Sequence, residues 1–197
     1  MAPKNTTDIK AAIKESIIEI LSDDEFINKL LIKINEKLDV IQSAVNDNSD
    51  KIELINKRMD NLMQAEKINN VCIFNLMENQ EEKLLENLLK LFKDNMKVTL
   101  NKTDIARCYR VGVKKEKPRP VIVRFERYQT KLTIMKNCGR LSGTKIGIVE
   151  DLTKNRLELY RSLQRKCEDK KQVFTRNGNI YIKSENGVER KNVTSLE

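Results

Sequence analysis

The chain has 197 residues, 39% hydrophobic and 34% charged, with a formal net charge of +9 and no histidine. So lean a composition excludes one large core and points to small modules with an extended helix. The missing histidine excludes a Ser-His-Asp triad, a histidine general base and any histidine-containing zinc site. Charge is uneven: residues 1–69 carry 10 Lys+Arg against 13 Asp+Glu, and residues 70–197 carry 28 against 16. The basic two thirds suggest a polyanionic partner such as nucleic acid. Cys72, Cys108, Cys138 and Cys167 are widely spaced with no C-x-x-C, so isolated thiols are expected, with no metal and no cofactor. No apolar stretch approaches the ~20 residues that span a bilayer, and no secretory signal opens the chain, so an intracellular protein without a membrane partner is expected.

Residues 1–21 place Ile9, Ile13, Ile17, Ile20 and Leu21 at helical spacing, which predicts a short amphipathic helix. Ser22-Asp-Asp-Glu25 matches a capping box, in which hydroxyl and carboxylate satisfy orphan backbone N–H groups, so a second helix is expected to start there. Over 22–68 the positions Leu31, Ile34, Leu38, Ile41, Val45, Asn48, Ile52, Ile55, Met59 and Leu62 alternate in steps of three and four. This heptad seam is too narrow to cover a globular core and predicts self-association through a coiled coil. Asn48 sits at a d position, where one polar residue sets register; the other reading of NDNSD is a break in the helix. The e positions Asn35, Gln42, Ser49 and Asn56 are uncharged, so ion pairs do not choose between dimer and trimer.

From 69 the period changes. VCIFNL, DIARCYRVG, RPVIVRF and KIGIVE read as strands, and EEKLLENLLKLFKDNM and YQTKLTIMKNC as helices. The order β-α-β-β-α-β is that of a ferredoxin-like, RNA-recognition-like domain, assigned to 69–142. The expected fold class is therefore α+β. Cys72, Pro120 and Ile122 stand where such a sheet would carry stacking rings, which removes a contribution of ~1–3 kcal/mol per base. Arg107, Arg110, Lys114, Lys115, Lys117, Arg119, Arg124 and Arg127 cluster on the central strands and their hairpin and could supply electrostatic binding instead. Alternation puts Arg107 and Tyr109 on one face and Cys108 and Arg110 on the other; a merely solvated basic face is the alternative.

Residues 143–197 predict a helix capped by Asp151 or Thr153, with Leu157, Tyr160, Leu163 and Cys167 as its apolar line and Arg161 and Arg165 one turn apart on a basic face. Two Asn-Gly pairs, Asn177-Gly178 and Asn186-Gly187, predict hairpins. This small α+β module has too little core to stand alone and should dock on the preceding domain.

Taken together, NVCIFNL, RPVIVRF, LSGTKIGIVEDLTKNRLELYR and NGNIYIK resemble the first-open-reading-frame protein of LINE-type non-LTR retrotransposons over about residues 30 to 190. The last part is also similar to the C-terminal domain of the baculovirus FP protein. The resemblance implies a trimeric, single-strand-binding nucleic-acid chaperone that coats its transcript, with Arg124, Arg156, Arg161 and Lys183 as RNA contacts. It differs in its brief N-terminal region and its lack of a zinc knuckle. The expectation is a non-catalytic homo-oligomer, a trimer rather than a dimer, that binds single-stranded RNA or DNA in a cytoplasmic ribonucleoprotein with nuclear access open. The rival expectation is a coiled-coil scaffold or FP-like interaction protein whose charge only keeps it in solution.

Overall fold

The protein is α+β: a long helix precedes a region of two antiparallel sheets. The computed structural model describes residues 5–167, 169–184 and 187–191. The chain divides into two compact units, Met1–Ile55 and Asn56–Glu197.

Helix α1 covers Asn5–Leu21, and α2 covers Asp24–Glu66, 43 residues or about 65 Å at 1.5 Å per residue. The capping box expected on Ser22 is not formed. Asp23 caps α2 instead, its Oδ1 accepting from the backbone N–H groups of Glu25 at 2.9 Å and Phe26 at 3.3 Å. Ser22 is committed backwards, donating its hydroxyl proton to the Ile18 carbonyl at the end of α1. NDNSD stays helical, so the alternative break at that point is absent. Every seam position from Leu31 to Leu62 is exposed on the single chain, Leu38 by 55% and Ile41 by 58%.

In the second unit, strands β1 (Asn70–Phe74), β2 (Ile105–Arg110), β3 (Val121–Phe125) and β4 (Gly147–Glu150) form a sheet ordered β2-β3-β1-β4, each neighbour pair antiparallel. Helix α3 (Leu84–Asp94) lies between β1 and β2 in sequence, and α4 (Tyr128–Asn137) between β3 and β4. The strand Gly147–Glu150 lies past the boundary expected at 142, so the first sheet is completed by residues assigned to the C-terminal module. Alternation turns Val71, Ile73, Val121, Val123, Phe125 and Ile148 onto Leu88, Leu91, Phe92, Met96 and Ile134, which makes one core. Phe92 and Phe125 meet within it at 6.0 Å.

Helix α5 (Lys154–Lys166) starts on Thr153, whose Oγ1 accepts from the Arg156 N–H, so the cap is Thr153 and not Asp151. A second sheet follows in the order β5-β6-β7: Val173–Arg176, Asn179–Ser184 and Gly187–Lys191. Asn177 and Gly178 join β5 to β6 with φ of 54° and 74°, the two positive values that a type I′ turn requires. Asn186 of the other Asn-Gly pair lies outside the described residues. Leu159 of α5 buries against Val173 and Ile180 as a small second core. It is supplemented by a polar junction in which Glu150 accepts from the N–H groups of Asn177 and Gly178 and from the buried ammonium of Lys131.

Candidate nucleic-acid interface

Sorting the predicted basic residues by what each already holds separates free cations from structural ones. On the open face of the first sheet, opposite the helices, Arg107 and Arg124 are paired across β2 and β3 and both are exposed. Like charges directly opposite are unfavourable unless something neutralises them. Among the described residues neither is in an ion pair. Tyr109, two residues along β2 and opposite Ile122, is 45% exposed on that face. Phe74 on β1 is exposed there too. The face is therefore not bare of rings, although Cys72 and Ile122 occupy the expected places: Tyr109 supplies one from the neighbouring strand. Burial and then Asp151 push the Cys72 thiol up to about 11, so it is protonated and unreactive at neutral pH.

Lys114, Lys115 and Lys117 lie exposed in the hairpin between β2 and β3. Two expected contacts nearby are corrected by the structure. Arg110 turns toward the helix-covered face, is only 5% exposed, and donates to both carboxylate oxygens of Glu82 and to the carbonyls of Leu76, Met77 and Arg119. Arg119 is locked to Glu78 by two guanidinium bonds of 3.0 and 2.7 Å, and these hold the Glu78 carboxyl down at about 2. Both arginines staple the segment between β1 and α3; Arg110 has all five of its guanidinium N–H groups engaged, whereas Arg119, held to Glu78, keeps its Nη1 free among the described residues and is partly exposed.

In the second module Arg161 and Arg165 are exposed and, with Glu158, Gln164 and Lys170, line a groove of about 450 Å³. Lys183 lines a neighbouring one of about 410 Å³ with Asp169, Lys171, Gln172 and Ser184. Arg156 is the clearest correction. It is buried, its Nε donates to Asp60 Oδ2 at 2.6 Å, and its other nitrogens reach the Gly178 carbonyl and Asn61 Oδ1. Asp60 also accepts from the Thr153 hydroxyl. Gln64 bridges the same place, donating to the Asp151 carbonyl and accepting from the Thr153 N–H. Asp151 takes Lys67 and Asn70 on its carboxylate. The last turns of α2, β1, the start of α5 and the β5–β6 turn are thereby joined in one buried network.

No protein-family model matches the chain, and no curated protein matches it. The interface is thus characterised by its own geometry: an unneutralised arginine pair beside a tyrosine, a lysine-rich hairpin, and a basic face on α5. Among the described residues no cluster of three or more His, Cys, Asp or Glu could hold a metal ion. No helix among them is long and apolar enough to cross a membrane.

Sequence reasoning missed Asp60, Gln64 and Lys131, three polar side chains that are buried. Asp60 and Gln64 are one helical turn apart and off the seam, a spacing that marks a shared face but names no partner.

Proposed function

We propose that the protein is a non-catalytic, oligomeric single-strand nucleic-acid-binding protein whose first sheet domain has the ferredoxin-like, RNA-recognition-like fold. The order β2-β3-β1-β4 with crossovers α3 and α4 supports that fold. The observation that carries the function is the Arg107–Arg124 pair, two exposed arginines opposite each other in the strand register and in no ion pair among the described residues, beside an exposed Tyr109. Phosphates neutralise such a pair, and a base can stack on the ring.

The seam of α2 supplies multiplicity. Nine of its ten positions are apolar and all are exposed on the single chain, so copies of the same helix are its natural cover. Several heads tied together act at raised effective concentration, which turns weak grips into useful affinity. The resemblance to LINE-type first-open-reading-frame proteins favours a trimer and a chaperone role in packaging RNA, in which contacts must exchange readily. Arg124, Arg161, Arg165, Lys183 and the hairpin lysines remain as contacts in this reading; Arg110, Arg119 and Arg156 are reassigned to structure.

The test is filter binding of a single-stranded oligonucleotide across a salt series. With about four phosphates engaged per protomer, log K should fall with log salt at a slope of about −3. Arg107→Glu with Arg124→Glu should abolish binding and leave the oligomer intact. Binding that is flat with salt and indifferent to that double change would favour the scaffold reading.

A further inference from the structure

The open face of the second sheet carries what the first sheet mostly lacks. Phe174 on β5 and Tyr181 on β6 are register partners, their ring centroids 5.4 Å apart and the planes 16° from parallel. They point away from α5, because Val173, Ile180 and Ile182 fill the opposite face. Both rings are half-buried.

The charges on this three-stranded sheet are sorted by face. Arg190 stands opposite Tyr181, Lys183 follows two residues along β6, and Arg176 follows Phe174 on β5, so all three cations share the side of the rings. All three are exposed. The one carboxylate on the described residues of β5–β7, Glu189, is opposite Ile182 on the other side and is already paired with Lys191 at 2.6 Å. Arg190 is oriented by donating to Asn179 Oδ1 at 2.6 Å. A stacked ring pair alone would serve to pin register. Three cations around it, none in an ion pair among the described residues, have no such use, and their mutual repulsion is relieved by an anion.

We propose that this face is a second stacking site for single-stranded nucleic acid: an unpaired base lies on the Phe174–Tyr181 pair while Arg176, Lys183 and Arg190 hold the flanking phosphates. The inference rests on the nucleic-acid reading above and adds a base-dependent grip to a phosphate-dependent one. Alternating cations and exposed rings are how single strands are held without sequence preference.

The experiment uses the full chain and two single-stranded oligonucleotides of equal length, one carrying 2-aminopurine among ordinary bases and one abasic over the same stretch. Tyr181→Leu keeps apolar cover and removes the π face; Tyr181→Phe keeps both. The leucine variant should bind the base-bearing strand about tenfold more weakly, lose its 2-aminopurine quenching and bind the abasic strand as wild type does. The phenylalanine variant should match wild type. No loss in the leucine variant, or equal loss on both strands, overturns the stacking site and leaves the rings as a register pin or a protein contact. In that case wild-type binding that still needs Arg107 and Arg124 preserves the broader reading; a wild type that binds neither strand ends both.

Discussion

Along the single helix α2, two stretches invert the usual rule of what is buried. From Leu31 to Ile55 the apolar side chains stand in solvent, whereas near its end the buried residues are Asp60 and Gln64. The difference is one of partner. The first stretch presents a stripe that only another helix of the same period can cover. The second meets α5 and the β5–β6 turn, whose Thr153, Arg156 and Gly178 offer donors and acceptors, so polar groups are the ones that fit. A helix face is therefore hydrophobic or polar according to what it meets, and exposure on one chain marks the surface still to be met.

The largest effect should come from breaking the polar end. Asp60→Ala strands the buried Arg156 charge and should lower the unfolding free energy by about 3–5 kcal/mol, measured by chemical denaturation. Asp60→Leu combined with Arg156→Met should recover much of that loss, since a buried pair replaced by apolar groups of similar size is often neutral. Leu38→Ala, in the bare stretch, should instead lower the melting temperature by an amount that protein concentration offsets, because its cost falls on association.

Gly178→Ala comes next. Its Cβ would lie 2.5 Å from Gln64 Cγ, and φ is +74°. Gln64 cannot swing aside without releasing its bonds to Asp151 and Thr153. A loss of about 1–3 kcal/mol is expected, reduced when Gln64→Ala is added, as a double-mutant cycle in denaturant would reveal.

A smaller effect isolates the Glu78–Arg119 staple. Glu78 ordinarily titrates near 4.5 and is held at about 2 by Arg119. A lowered folded value means that its stabilisation is fully present above about 4.5 and fades as pH falls toward 2. Glu78→Gln should flatten the acid limb of the stability–pH curve over that interval, the variant lying modestly below wild type at neutral pH and converging with it as pH falls toward 2.

The legible parts of this protein were those with a local cause. The seam is written in its period, the Asn177-Gly178 turn in two residues that tolerate positive φ, and the start of α5 in Thr153. The face assignments of Arg107, Tyr109, Cys108 and Arg110 followed from alternation alone. The illegible parts depend on residues far apart in sequence. Arg156 sits in a charged helix and reads as surface until Asp60, 96 positions away, is seen to face it. Arg110 and Arg119 read as part of a basic patch because their acidic partners, Glu82 and Glu78, lie on another segment. Even the capping box slipped by one residue, because Ser22 closes the helix before it while Asp23 opens the next. The Phe174–Tyr181 pairing follows from the Asn177-Gly178 turn, which sets Arg176 opposite Asn179, but which face of the sheet α5 covers required the structure.

The mass of the purified chain in solution, measured together with its affinity for a long single strand, tests the central claim most directly. The account predicts a multiple of 22.9 kDa for wild type. It predicts one chain's mass and a collapse in affinity for Leu38→Asp with Ile41→Asp, the heads remaining folded. A wild type of single-chain mass, or a dissociated variant that grips the strand as tightly as before, would contradict it.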